Sequence, residues 1–167
     1  MTETTLKIRL YGDPCLTQAS QPVSEIGASE RLLIQSMIQT MYAHKGIGLA
    51  APQVGINKKI FVVDIGDGPI AVVNPRILKS SGSSKMEEGC LSIPGVSVMI
   101  ERPDKILVEF KDENNDKIRL ELSEMLARVF QHENDHLEGR LILDYVTDEE
   151  RPKHIEAFTK ALEEGKK

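Results

Sequence analysis

The chain has little cysteine, no dense run of basic residues and no long apolar stretch. Two cysteines, Cys15 and Cys90, are too few for a disulfide framework. A net charge of −5 without a Lys/Arg cluster argues against DNA as the main partner, although a local contact through Lys166-Lys167 stays open. No apolar stretch approaches the roughly 20 residues of a membrane span. Residues Met1–Leu10 carry charges where a signal peptide needs an apolar run, so we expect a cytoplasmic protein without a membrane partner.

The remaining composition is that of an ordinary soluble domain. Hydrophobic residues make up 40% of the chain and charged residues 28%. We expect residues 1–167 to form a single domain with one core. Periodicity and turn residues predict a helix from about Ser29 to His44, β-rich segments at Lys58–Ile65 and Ile70–Leu78, a flexible loop at Ser80–Ser84, a hairpin of Lys105–Lys111 and Lys117–Leu122, a helix from about Glu124 to Glu138, a short strand at Leu141–Val146 and a C-terminal helix at about 148–164.

The pentapeptide His132-Glu133-Asn134-Asp135-His136 is the most informative stretch. On an α-helix, positions i and i+4 share one face, so two imidazoles can bind one metal ion while Glu133 is near enough to move a proton. Met125 and Val129 precede the histidines on the same stripe, which predicts that both imidazoles face the interior. A buried imidazole needs a partner, and a metal would provide one. A plain amphipathic helix with a charged surface turn is the alternative.

A catalytic metal site of this kind needs a third protein ligand. A third histidine two turns further on is excluded, because Ile142 occupies that position. Glu156 follows His136 by twenty residues and would give an endopeptidase-like site. Cys90, in an irregular segment, would give a thiolate and two imidazoles with one open position. The residues favour Cys90 and leave Glu156 open.

Three stretches together resemble the motifs of the peptide deformylase family. They are Gly46-Ile-Gly-Leu-Ala-Ala-Pro-Gln53, Glu88-Gly-Cys-Leu-Ser92 and Gln131-His-Glu-Asn-Asp-His136, and the resemblance runs from about Leu10 to Val146. This family of hydrolases acts on a non-peptide C–N bond and removes the formyl group from the formyl-methionine of new bacterial and organellar polypeptides. The resemblance implies a bacterial cytoplasmic enzyme, with an organelle as the alternative. Together with the element pattern, it implies an α+β fold with mixed or antiparallel strands around the motif helix and a helix near each terminus.

The resemblance also implies how the reaction would proceed. Cys90, His132 and His136 would hold one divalent ion. Fe(II) is the expected metal, and Zn(II), Ni(II) or Co(II) would also suit the ligands. A metal-bound water would attack the formyl carbon, while Glu133 would take its proton and return one to the departing amine.

Two loops would complete the site by resemblance. The side chain of Gln53 and the backbone N–H of Leu91 would stabilise the oxyanion. Ile47 and Gly48 would contact the peptide backbone. The expected substrate is therefore an N-formylmethionyl nascent peptide, and a transient contact with the ribosome stays open.

The methionine side chain of the substrate needs an unbranched apolar pocket. Met125 and Val129 lie on the histidine stripe and can line it. Arg128 falls beside this stripe, where the family often has an apolar residue, and we expect it at the edge of the pocket. Glu88 and Arg102 are expected to pair and to support the metal ligands.

Two other functions remain to be compared with deformylation. One is a small endopeptidase that uses Glu156 as its third ligand. The other is a metal-binding module without catalysis, against which the intact Glu133 and Gln53 argue. Substitution of Cys90 or Glu156 separates the two metal sites, because only one of these residues can be the third ligand.

Overall fold

The structure is a computed structural model that describes residues 5–165, so Lys166-Lys167 and the start of the N-terminal segment lie outside the described residues. The helices of this part are α1 (Ala28–Ala43), α2 (Glu124–Leu137) and α3 (Arg151–Gly165). The strands are β1 (Gly48–Ala50), β2 (Ile60–Val63), β3 (Ile70–Ser81), β4 (Ser84–Glu88), β5 (Val98–Arg102), β6 (Lys105–Lys111) and β7 (Lys117–Ser123). The α+β fold class predicted from the sequence is confirmed.

The strands form two antiparallel sheets. The large sheet has the order β1-β2-β3-β6-β7, and the small sheet pairs β4 with β5. All four residues of β2 are buried because a helix covers each face of the large sheet. Phe61 and Val63 join the hydrophobic cluster with α2, whereas Ile60 and Val62 join the cluster with α1. Successive strand residues point to opposite faces, so this short apolar strand serves both layers.

Helix α1 packs on the large sheet through an apolar stripe. Ile34, Met37 and Met41 are buried against it. After the helix, Lys45 adopts a φ of +57° and the Gly46 N–H bonds to the Met41 carbonyl at 2.9 Å. This is a Schellman-type end, which turns the chain towards β1.

Helix α2 has two functional faces, one packed on the large sheet and one that carries the two histidines. Ala127, Phe130 and Leu137 pack on the large sheet, and the Phe61 and Phe130 rings meet edge to face with centroids 4.9 Å apart. At about 100° per residue, the stripe that carries both histidines lies beside this apolar face. The helix therefore binds the sheet and presents His132 on an adjacent side.

The small sheet belongs to a third hydrophobic cluster. Its strand β5 alternates, with Val98, Ile100 and Arg102 buried and Met99 exposed. The cluster also contains Ile142, Leu143 and residues from α3, and these elements lie outside the helix–sheet–helix layers. Its buried members are Leu16, Ile93, Val96, Val98, Ile100, Leu141, Ile142, Leu143 and Phe158.

Two local predictions are wrong. The predicted strand at Leu141–Val146 is a 3-10 helix over Ile142–Tyr145, because the Asp144 carboxylate accepts the Leu141 N–H at 2.9 Å and closes a turn. The predicted loop at Ser80–Ser84 is mostly strand, since β3 continues to Ser81 and β4 begins at Ser84.

The C-terminal helix begins at Arg151 rather than near residue 148. Phe158 is buried, and a Cβ on Gly95 would lie 2.6 Å from the Ala161 Cβ, so α3 packs closely on the loop that follows Cys90. No helix within the described residues has the length and apolar character needed to cross a membrane.

Candidate active site

Three potential metal ligands converge between α2 and the end of β4. The Sγ of Cys90 and one ring nitrogen each of His132 and His136 all lie within 4.8 Å of one another. The Cys90 Sγ is 3.4 Å from the His136 Nε2. A thiolate and two imidazoles fit a divalent transition metal such as Fe(II) or Zn(II). Glu156, the competing candidate, is exposed on α3 and is not part of this cluster.

The two histidines differ in their protonation. Burial, and then the positive charge of His132, hold the pKa of His136 well below 6.5, so this imidazole is neutral, as a ligand must be. Burial also opposes charge on His132, but the charges and hydrogen bonds of Glu133, Cys90 and Glu88 outweigh it and raise the pKa of His132 well above 6.5. A metal ion would therefore displace a proton from His132.

Glu133 lies deep in the same site. Its Oε1 is buried without a hydrogen-bond partner among the described residues, and its Oε2 is 3.9 Å from the His132 Nε2. Burial raises the pKa of Glu133 to about 7, against the opposing effect of the charged His132. A carboxyl group that titrates near neutrality can both accept and donate a proton. A cation bound nearby would favour its carboxylate form.

Glu88 connects the candidate ligand His132 to the guanidinium of Arg102. Its Oε1 contacts the His132 Nδ1 at 2.9 Å, which leaves the His132 Nε2 for the metal cluster. The Arg102 guanidinium donates to both Glu88 oxygens, at 2.6 and 2.9 Å, and also to Asp135 at 3.0 Å. Burial works against the charge on Glu88, but hydrogen bonds from His132 and Arg102 prevail and lower its pKa to about 2. The expected Glu88–Arg102 pair is thus present.

Arg128 lines the cavity over the ligand cluster, but its guanidinium is not a free charge there. It is only 6% exposed and donates to Glu88, a partner that the sequence did not indicate. The residues around position 128 do not indicate the bond to Glu88, because Glu88 is 40 residues away in the chain. Asp135 and Ser92 also escaped prediction, although both lie within the recognised motifs. Asp135 accepts from Arg102, and Ser92 accepts from Gln53.

The glycine-rich first motif forms β1 and a short 3-10 helix that together aim Gln53. The Gln53 Oε1 accepts the Ala50 N–H at 2.9 Å, which fixes the amide orientation. The Gln53 Nε2 then points to Ser92 Oγ at 3.1 Å and to Cys90 Sγ at 3.5 Å. Leu91 directly follows Cys90 and lines the cavity over the ligand cluster. Two potential oxyanion donors therefore lie next to the ligand cluster.

A cavity of about 520 Å³ opens over the cluster. All four predicted substrate-contacting residues line it. They are Ile47, Gly48, Met125 and Val129. Ile47 is 48% exposed at the cavity entrance, and Val129 is buried within the wall. Met86 of β4 lines the cavity as well.

Gly48 lies directly against Glu133. A Cβ at position 48 would overlap the Glu133 Oε2 and lie 2.9 Å from its Cδ. Gly48→Ala is therefore expected to displace the carboxyl group and lower kcat about 100-fold, because a misplacement near 1 Å can cost this much. Steady-state kinetics would measure the loss.

Gly27→Ala is the matched control, because its Cβ would meet Glu30 Oε1 at an ordinary 3.5 Å, away from the cavity. Both variants should keep the metal, as determined by elemental analysis. A normal kcat for Gly48→Ala would contradict the importance of this close contact.

The fold and the site define a class of protein: a metal-dependent hydrolase with a His-Glu-x-x-His helix and a cysteine as the third candidate ligand. A family model described as polypeptide deformylase matches residues 5–152. The peptide deformylase of Thermotoga maritima is 45% identical over 146 residues, which are 87% of this chain and 89% of that protein. The chain belongs to the polypeptide deformylase family.

Solved structures agree with this assignment. The peptide deformylase of Legionella pneumophila superposes with a TM-score of 0.91 at 34% identity, covering 94% of this chain and 95% of that one. The enzyme of Ehrlichia chaffeensis, solved in complex with actinonin, gives a TM-score of 0.91 at 36% identity, covering 94% and 97%. The chain is thus a metal-dependent hydrolase that removes the N-formyl group from nascent peptides.

Proposed function

We propose that this site releases formate from the N-terminal formyl-methionine of new polypeptides, with Cys90, His132 and His136 holding one divalent ion. The observation that carries the proposal is the convergence of these three candidate ligands beside a buried Glu133. Cys90, His132 and Glu133 line one cavity. Fe(II) is the proposed physiological metal, and Zn(II), Ni(II) and Co(II) fit the same donors. When bound, the ion would supply positive charge that polarises water and the formyl oxygen.

Glu133 is the proposed general base and general acid. It would take a proton from the water that attacks the formyl carbon, and it would deliver a proton to the departing amine nitrogen. Its burial and its pKa of about 7 support this role, as does its Oε1, which has no hydrogen-bond partner among residues 5–165. Glu88 would hold His132 in the tautomer that leaves Nε2 free.

Gln53 and Leu91 are the proposed oxyanion donors. The Ala50 N–H fixes the Gln53 amide, so that its Nε2 is oriented before substrate arrives. Preoriented donors need no reorganisation during the reaction, which is why they stabilise developing charge effectively. The Leu91 N–H, next to Cys90 in the second motif, would donate the second hydrogen bond to the oxyanion.

The cavity walls suit an extended peptide with an apolar first side chain. Ile47 and Gly48 would contact the peptide backbone along β1. Met125 and Val129 would line the methionine pocket, with Met86 on the facing wall. Residues 1–167 would act as one catalytic domain in the bacterial cytoplasm, with an organelle as the alternative location. We also propose that the enzyme encounters nascent chains during a transient contact with the ribosome.

Formate release tests the function directly. The Fe(II)-loaded protein, handled without oxygen, should release formate from formyl-Met-Ala and should leave unformylated Met-Ala intact. Cleavage of internal peptide bonds without formate release would instead favour the endopeptidase. Metal binding without either activity would identify a non-catalytic metal protein.

A further inference from the structure

Arg128 connects helix α2 to both strands of the small sheet. Its NH1 donates to the Ile100 carbonyl of β5 at 3.1 Å and to the Glu88 carboxylate of β4. Its NH2 donates to the carbonyl and the hydroxyl of Ser84 on β4, at 2.8 and 3.0 Å. A planar guanidinium with four donor contacts cannot rotate away without losing several of them.

The gap that Arg128 crosses is part of the substrate cavity. One wall is α2, which contributes Met125 and Val129, and the facing wall is β4, which contributes Met86. Arg128 lines the same cavity. The bonds to Ser84 and Ile100 therefore join the two walls at the level of the apolar pocket.

Arg102 joins the small sheet to α2 at a second point along the helix. It extends from β5 to Asp135, on the turn of α2 that carries His136. Asp135 and Arg128 are seven residues apart, about two helical turns. Loss of Arg128 would remove one of the donors to Glu88 but leave Arg102 on Glu88 and Asp135, so the metal-ligand end stays connected. The bonds to Ser84 and Ile100, near Met125, would be lost.

We infer that Arg128 is a specificity-determining residue, which fixes the separation of α2 and β4 at a width that admits an unbranched side chain. This inference rests on the function proposed above. An apolar residue at position 128 cannot bond to the two strands, so the walls can separate further and accept a bulkier first residue. Arg128 would thereby maintain the preference for methionine over an aromatic side chain, a preference that depends on pocket fit.

The test compares kcat/KM for formyl-Met-Ala and formyl-Phe-Ala in the metal-loaded wild type and Arg128→Met. The ratio of methionine to phenylalanine should fall about tenfold in the variant. General damage to the enzyme would lower both values and leave their ratio unchanged. Arg119→Met is the control, since Arg119 is exposed on β7, and its ratio should equal that of the wild type. A ratio within about twofold of wild type in a folded Arg128→Met protein overturns the inference.

If Arg128→Met does not fold, two milder variants test the role of Arg128 in specificity. Arg128→Lys keeps a cation for Glu88 but has one nitrogen where the strands offer several acceptors. Ser84→Ala removes only the bond to the hydroxyl. Both should lower the ratio about threefold, the effect of one weakened hydrogen bond, and unchanged ratios in both would overturn the inference. A wild type that releases no formate from either peptide would refute the proposed function instead.

Discussion

Cys90→Ala should abolish both metal binding and formate release. The substitution leaves two imidazoles, and a two-ligand site cannot hold the ion at the cavity floor in a fixed geometry. We expect metal affinity to fall at least about 100-fold, since even residues that merely support ligands are worth up to this factor. Metal content after dialysis and formate release from formyl-Met-Ala are the two measurements.

The chain supplies its own control in Cys15. Its thiol contacts the Pro52 carbonyl at 3.3 Å and packs with the third hydrophobic cluster, outside the ligand group. Cys15→Ala should keep the metal and most of the activity. Glu156→Gln should also be nearly silent. If Glu156→Gln alone removed the metal, the assignment of Cys90 as the third ligand would be wrong.

Glu133→Gln should retain the metal but lose about 10³-fold in kcat. The amide has nearly the same shape as the carboxyl group, so packing in the cavity changes little. It cannot accept the proton of the attacking water, and general acid–base groups contribute about 10²–10⁴ to rate. Turnover and metal content measured on one preparation separate this effect from ligand loss.

Glu138→Gln is the corresponding control on α2. Glu138 directly follows the last residue of α2 and is exposed, and its ion pair with Arg140 spans 4.0 Å in solvent. Its substitution should leave kcat unchanged. Retention of more than a tenth of wild-type kcat by Glu133→Gln would show that another group moves the proton.

The helix-borne half of the site was predictable because its chemistry follows helical spacing. His132, Glu133 and His136 satisfy a local geometric rule, and their stripe with Val129 indicated burial. Cys90 and Gln53 lie in irregular segments, where no periodicity indicates a role. The chemistry of a third ligand favoured Cys90 over Glu156, and only the resemblance of three motifs brought Gln53 to the site. Their roles as ligand and oxyanion donor stay predictions, although the structure does bring them beside the histidines.

Polar side chains explain much of what the sequence did not predict. Arg128 looked like a charge at the edge of an apolar stripe, but Glu88 provides a buried partner 40 residues away. Strand β5 was not predicted because its third inward position is Arg102, which breaks the apolar alternation. The run at Leu141–Val146 looks like a strand in composition, yet the side chain of Asp144 folds it into a turn.

The paired strands β4 and β5 also determine which insertions and deletions the gene can tolerate. Glu88 opposes Val98, and Ser84 opposes Arg102, so Glu88 and Arg102 point to the same side of the small sheet. One extra residue within either strand would turn every following side chain to the other face. The buried carboxylate would then face solvent, and His132 would lose its partner. Length changes should therefore be selected against within these ten strand residues and accepted at Gly82-Ser83, where the chain turns between sheets.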